Sequence, residues 1–275
     1  MTLTTALDHG IARLAYLPTA RRDAELLLLR ATGGDHVLLL THPDTALTPE
    51  QLSTYDQWLI RRARHEPIQY ITGEQEFYGL TLRVTPAVLI PRPETEHLVE
   101  ALLHRVPHNA PLGVADIGTG SGAIAIALAH HLPKAAITAL DASAAALTIA
   151  QQNADRHNLT SRIRFLESDL LNAVAGETFD AIVSNPPYVP QFELLEPQVH
   201  DFEPHTALYA GPSGLDIYQR LIPQAWQALN SGGLLLMEIG HGQQSALAIL
   251  LAQWSQIEFI PDLQGIPRVA IARHP

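Results

Sequence analysis

The chain contains no cysteine, which excludes disulfides and thiolate metal centres. No apolar stretch approaches the ~20 residues that cross a bilayer. The strongest candidate, around residues 247–251, is interrupted by Gln and Trp. The N-terminus, Met1-Thr-Leu-Thr-Thr-Ala-Leu-Asp8, has no basic stretch ahead of an apolar run and is not expected to be a signal peptide. Charge is sparse too. Charged residues make up 16% and hydrophobic residues 47%, a balance that favours a buried core over disorder. Basic residues are the scarcer sign: 17 Lys and Arg stand against 28 Asp and Glu, a formal net charge of −11. A surface that grips phosphates needs Lys and Arg, so this balance argues against a free DNA or RNA substrate. The one basic cluster, Arg61-Arg62-Ala63-Arg64, reads as the solvated face of a helix.

At 275 residues there is room for one large domain or two modest ones. Residues 3–17 and 23–30 carry apolar positions at helical spacing, with Gly33-Gly34 as a stop. A third helix is expected from Pro49 to about Arg64. Thr48 caps it, Gln51 completes a capping box, and Leu47 and Leu52 are placed for a hydrophobic staple. Residues 77–79 and 80–84 read as a strand hairpin. Pro91-Arg92-Pro93-Glu94-Thr95-Glu96 then opens a helix toward Val106. Further strands are expected at 113–117, 136–140, 163–166, 181–184 and 234–239. They alternate with helices at 123–131, 142–156, 215–229 and 243–253. Two last strands, 257–261 and 269–273, are joined so closely through Gly265-Ile266-Pro267 that they must pair antiparallel. The alternation predicts a doubly wound α/β sheet with helices on both faces. The expected domains are a helical one over 1–75, a hairpin linker over 76–90 and the α/β domain over 91–275.

Two motifs carry chemistry. Asp116-Ile-Gly118-Thr119-Gly120-Ser121-Gly122 follows the first strand of the α/β part and precedes a helix. Open α/β sheets bind ligands at that edge, and glycines let a ligand approach the backbone. Asp141 ends the next strand, where a carboxylate accepts hydrogen bonds from a ribose diol. This half alone leaves a nicotinamide dinucleotide and S-adenosylmethionine both open. Asp169, after the third strand, is placed for an adenine amino group, with Leu170 against the ring; a helix cap is the plainer reading of Asp169.

The second motif, Asn185-Pro186-Pro187-Tyr188, follows the strand Phe179-Asp-Ala-Ile-Val-Ser184. Successive prolines fix φ and remove two backbone donors. What remains is a rigid set of carbonyl acceptors beside the Asn185 side chain, matched to the two hydrogens of a planar –NH2 group. Such a nitrogen is a poor nucleophile because its lone pair is delocalised. Accepting both hydrogens orients it and aims the lone pair at an electrophile, so positioning and electrostatics supply the catalysis. Tyr188 is expected to pack on the planar substrate.

On these residues the chain resembles the HemK/PrmC protein-glutamine methyltransferases. The resemblance extends over Asp23-Ala-Glu-Leu-Leu-Leu28, Pro67-Ile-Gln-Tyr-Ile-Thr-Gly73, Glu76-Phe-Tyr-Gly79 and Ile90-Pro-Arg-Pro-Glu-Thr-Glu96. It continues through both motifs and through Phe202-Glu-Pro204, Ala207-Leu208, Gly211 and Gly214-Leu215-Asp216. It implies a Rossmann-like, seven-stranded class I methyltransferase sheet behind a small helical recognition domain. It also implies methyl transfer from S-adenosylmethionine, leaving S-adenosylhomocysteine, to the glutamine of the Gly-Gly-Gln motif in peptide chain release factors. By the same resemblance, Gly118, Thr119, Gly120, Ser121, Gly122, Asp141, Asp169, Leu170 and Asn185 hold the donor. Asn185, Pro186, Pro187 and Tyr188 hold the glutamine, with Asn185 and Pro186 in the catalytic role. A monomeric, cytoplasmic enzyme without metal is expected.

One departure stands near the C-terminus. Asp262-Leu-Gln-Gly-Ile-Pro-Arg268 has Ile266-Pro267 where the family carries a polar pair. Alternatives remain a glutamine methyltransferase of a large-subunit ribosomal protein, and an adenine- or guanine-amino nucleic-acid methyltransferase, since Asn-Pro-Pro-Tyr suits every planar amino acceptor. An oxidoreductase explains the glycine loop but not Asn185 to Tyr188. The histidines give no metal pattern: His104 and His108 are separated by Arg-Val-Pro, which breaks helical spacing. His241, between two glycines, is expected beside the cofactor-side loop.

Overall fold

A computed structural model describes residues 1–275. The chain divides into two compact units, Met1–Gly73 with Leu195–Phe202, and Glu74–Leu194 with Glu203–Pro275.

The first unit is helical: α1 (Leu3–Arg13), α2 (Ala20–Thr32), α3 (His36–Thr41), α4 (Pro49–Arg62) and α5 (Ile68–Thr72). The capping box of α4 forms as expected, with Thr48 accepting from the Gln51 N–H and Gln51 accepting in return. Helix α1 ends at Arg13, earlier than 17, and the chain turns tightly before Pro18. Neither α3 nor α5 was anticipated, because six and five residues are too few to display a helical period. Leu3, Leu14, Leu27, Leu28, Tyr55 and Leu59 form the core. The basic cluster is not a solvated face. Arg62 is buried and donates to Asp23 at 2.7 Å, and Arg61 pairs with Glu66 at 2.5 Å. Internal carboxylates neutralise two of the three arginines, which leaves little positive surface for phosphates.

The second unit begins with a hairpin, β1 (Glu74–Phe77) and β2 (Leu80–Arg83). Tyr78 and Gly79 both take positive φ, 51° and 74°, as a two-residue turn of matching twist requires. The hairpin starts at Glu74, and its Phe77 and Leu82 are buried in the core of this unit. Then follow α6 (Glu96–Leu103), β3 (Leu112–Ile117), α7 (Ala123–His131), β4 (Ala135–Asp141), α8 (Ala144–Arg156), β5 (Ile163–Glu167) and β6 (Phe179–Ser184). A short α9 (Pro197–His200) lies in the segment that belongs to the first unit. Next come α10 (Asp216–Ala228), β7 (Leu229–Glu238), α11 (Gln244–Leu250), β8 (Ser255–Pro261) and β9 (Pro267–Arg273).

Seven strands form one sheet in the order β5-β4-β3-β6-β7-β9-β8. The first five are parallel, and β9 runs antiparallel to both β7 and β8. The last strand therefore sits inside and β8 takes the edge. Burial explains this: Val269 to Ala272 are buried on β9, whereas Gln256 and Glu258 keep β8 in water. Side chains alternate across the sheet. Leu234 and Leu236 enter one apolar cluster with α6 and α7, and Leu235 and Met237 enter the other with α10 and α11. Helix α7 is buried along its length from Ala123 to Ala129, as an all-apolar helix must be.

Candidate active site

Strands β3 and β6 are neighbours, with Ile117 opposite Ser184, and the strand order reverses between them. Ser184 Oγ donates to the Ile117 carbonyl at 2.7 Å and ties the two strand ends together. Loops leaving a parallel sheet at such a switch point diverge and open a crevice. Here the crevice is a cleft of about 640 Å³, and both expected motifs line it.

The glycine loop is shaped by its own backbone and two carboxylates. The N–H groups of Gly118 and Thr119 donate to the Leu140 carbonyl at 2.8 and 2.9 Å, and Gly120 N–H donates to Asp141 Oδ2 at 2.9 Å. Gly118 takes φ +70°, and a Cβ there would meet nothing within 4 Å, so the space above it is open to a ligand. Gly122, at φ +82°, differs: its Cβ would lie 3.1 Å from that of Ala150 on α8. Thr119 and Ser121 line the cleft, but the Thr119 hydroxyl turns back to Asp116 at 2.6 Å.

Asp141 also accepts from the Ser143 N–H at 2.8 Å, and burial raises its pKa against those backbone bonds. Asp116 is fully buried. Its Oδ2 accepts from Thr119 and from the Ala125 N–H, while Oδ1 has no partner. Burial pushes its pKa up to about 7, with Asp141 adding to the rise. Asp169 lines the cleft and is paired with Arg220, so it is not a helix cap. Leu170 beside it takes φ +54°, an uncommon conformation for a large residue, held by Ser168 Oγ donating to its carbonyl at 2.8 Å. The lining residues include Asp141 and Asp169 but no Lys or Arg. Asp141 gives such a cleft an acceptor for a cationic ligand or for a ribose.

On the other side, Asn185, Pro186 and Pro187 line the cleft. Asn185 Nδ2 donates to Thr95 Oγ1 at 3.0 Å, which leaves Oδ1 for the cleft. Thr95 Oγ1 is 2.5 Å from Glu238 Oε2, and Tyr188 donates to Glu238 Oε1 at 3.1 Å. Tyr188 departs from the expected substrate-stacking position. It is not a lining residue; its ring packs on the second apolar cluster and its hydroxyl serves Glu238. A tyrosine after two prolines is expected to pack on the substrate, but a buried carboxylate draws it inward. Gln243 straps the loop from outside, donating to the Tyr188 and Gly214 carbonyls at 3.0 and 3.3 Å. His241 is exposed and does not line the cleft.

From the sequence, Glu203 and Glu238 are expected as hydrogen-bond partners without a derivable role, and Thr95 and Arg92 are not singled out. Thr95 and Arg92 lay inside a stretch that carried the family resemblance, without a role. Glu203 accepts from the Ile90 N–H at 3.1 Å and from Arg92 at 2.6 Å, which fixes the segment leading to Thr95. Glu238 had one available signal: an acidic residue ending the apolar run Leu234-Leu-Leu-Met-Glu238. Around the departure near the C-terminus, Asp262 accepts from the N–H groups of Gln264 and Ile266 and from Arg268, so the loop closes without the polar pair.

Residues 94–202 match the family described as Methyltransferase small domain, and residues 5–73 match the PrmC N-terminal domain. Among solved structures, the fold is similar to a ribosomal-protein methylase of Lactobacillus delbrueckii subsp. bulgaricus. That match has a TM-score of 0.51 and 28% identity, covering 67% of this chain and 81% of that one. A 16S rRNA methyltransferase of T. thermophilus, in complex with AdoMet and guanosine, matches with a TM-score of 0.57 at 20% identity, over 74% of this chain and 50% of that one. At that identity the likeness is one of fold. Two relatives go further. The release factor glutamine methyltransferase of Koribacter versatilis is 48% identical over 100% of this chain and 99% of its own length. That of Escherichia coli K12 is 43% identical over 98% and 97%. Identity of this extent spans essentially the whole of each chain, and the chain belongs to the family of release factor glutamine methyltransferases.

Proposed function

We propose that this protein transfers a methyl group from S-adenosylmethionine to the side-chain amide nitrogen of the glutamine in the Gly-Gly-Gln motif of peptide chain release factors. One observation carries the reading: a single cleft joins a glycine loop, with only carboxylates for charges, to an asparagine whose oxygen is left for a ligand. The open space over Gly118 and the carboxylate of Asp141 fit a cationic nucleoside. Asp141 accepts from the ribose, Asp169 and Leu170 take the adenine, and Gly118 to Gly122 give the backbone approach. When bound, S-adenosylmethionine supplies an electrophilic methyl on a sulfonium and departs as S-adenosylhomocysteine.

The chain's own residues do the rest. Asn185 Oδ1 and the Pro186 carbonyl accept the two N–H hydrogens of the substrate amide. They hold its plane and favour pyramidalisation, which directs the lone pair at the methyl carbon. Methylation places positive charge on nitrogen, so the surplus proton becomes acidic and no strong base is needed. Pro187 holds the loop rigid, and Tyr188 supports it from behind. The helical unit, with Met1–Gly73 as its main part, grips the release factor, since one glutamine offers little specificity. No helix is long and apolar enough to cross a membrane. We place the enzyme in the cytoplasm as a monomer.

The test is transfer of a labelled methyl from S-adenosylmethionine to purified release factor, with a Gln→Ala change in its Gly-Gly-Gln motif as control. Label on the native factor alone is expected. Label on a ribosomal protein or nucleic acid instead would overturn the substrate assignment. Removal of residues 1–73 is expected to raise KM for the factor far more than for a short Gly-Gly-Gln peptide; equal effects would defeat the docking role.

A further inference from the structure

An asparagine amide presents either of two faces: Oδ1 accepts, and Nδ2 donates. To hold a planar –NH2 group, Asn185 must present Oδ1, and nothing within Asn185 enforces that choice. We propose that Thr95 and Glu238 are positioning residues that lock Asn185 with its oxygen toward the cleft, and that loss of a proton from Glu238 sets the lock. This rests on the methyltransferase reading of the site.

Direction in a hydrogen-bonded chain comes from any member with only one possible role. Glu238 is 2% exposed at the end of β7, and an ionised carboxylate only accepts. Thr95 Oγ1, 2.5 Å away, must then give its one hydrogen to Glu238. Its lone pairs are left to accept, and Asn185 Nδ2 at 3.0 Å donates into them. Tyr188 donates to the second carboxylate oxygen at 3.1 Å, which anchors the acceptor loop to the same group.

Adding one proton to Glu238 reverses the chain. The carboxyl then donates to Thr95 Oγ1, the Thr95 hydrogen turns to Asn185, and the amide rotates to receive it on Oδ1. Nδ2 now faces the cleft, where it meets the hydrogens of the substrate amide as donor against donor. Groups around Glu238 act in both directions. Burial dominates and brings it up to about 7, with Glu94 adding to the rise, while Thr95, Tyr188 and Arg268 on β9 oppose it. Tyr218 on α10 donates to the Glu238 backbone carbonyl at 2.8 Å and holds the residue in place. Turnover is therefore expected to fall as pH drops through neutrality.

The test uses the full-length enzyme, purified release factor and labelled S-adenosylmethionine across the range from about pH 6 to 8, bracketing the Glu238 transition. Thr95→Val removes the hydroxyl at nearly constant shape. It should lower kcat about tenfold and leave the Kd of S-adenosylmethionine within about twofold. Thr95→Ser restores the hydroxyl and most of the rate. Glu238→Gln, which has no such proton to lose, should abolish the acid limb of the pH profile. Independently of turnover, the side-chain amide of 15N-labelled Asn185 should show one slowly exchanging N–H at about pH 8, lost at about pH 6 and in Thr95→Val. A folded Thr95→Val enzyme with wild-type kcat, or Asn185 exchange indifferent to both Thr95 and pH, would overturn the lock. A wild-type enzyme that labels no release factor would defeat the functional reading instead, and the exchange measurement would still judge the lock.

Discussion

The two halves of the cleft are built by opposite means. The donor half is made by leaving atoms out. Gly118 and Gly120 open the space above them, and the carboxylates that shape the loop, Asp116 and Asp141, stand at the ends of adjacent strands. The acceptor half is made by bringing atoms in. Asn185 is oriented by Thr95, ninety positions earlier, and Thr95 by Glu238, far later in the chain. Both halves sit on adjacent parallel strands of one sheet, so topology brings them together without making them interdependent. A local design is robust and readable; a long-range one fixes direction, which local chain geometry does not supply.

That difference is open to attack from either side. Asn185→Ala should produce the largest effect, a loss of kcat on the order of 10²–10³, since oriented acceptors for the reacting group are removed. Donor affinity, measured by calorimetry, should hardly change; a large loss of donor binding would show the halves to be coupled. Asp116→Asn acts on stability. The native Asp116 keeps its proton up to about pH 7, whereas an unfolded chain releases it near the ordinary carboxylate value, ~4. Native stability therefore declines as pH climbs through that window and is level above it. The amide cannot ionise, and its –NH2 takes the side where Oδ1 has no partner. The variant should gain on the wild type from pH 5 to pH 8 by on the order of a few kcal/mol in urea unfolding. A gap that does not widen would refute it.

Smaller effects probe the donor loop. Gly122→Ala puts a Cβ 3.0 Å from Ile126 and 3.1 Å from Ala150 at a positive φ. A stability loss of about 1–3 kcal/mol is expected, together with weaker donor binding. At saturating donor, kcat should survive if the acceptor half stands alone. Asp141→Ala should raise the donor Kd about tenfold through the loss of the proposed ribose contact and of its bond to the Gly120 N–H. An unchanged Kd would remove Asp141 from the donor site.

Much of the α/β unit was legible because its strands are short apolar runs that alternate with longer helical stretches. The position of β9 inside β8 was not legible, because pairing order depends on which strand gains more by burial. Tyr188 and Arg62 were misread for a shared reason. Each is a polar residue in an exposed-looking context, and each turns inward to a carboxylate remote in sequence, Glu238 and Asp23.

The sequence by itself determined the chemistry on offer: a glycine loop after one strand, an asparagine before two prolines after another, and carboxylates between. Those features are local, fixed by φ preferences and by residue type. Tertiary structure alone decided that the cleft has no cation among its lining residues and that Asn185 turns Nδ2 away from it. Charge balance in a cavity and the direction of a hydrogen-bonded chain are sums over residues that only folding makes neighbours.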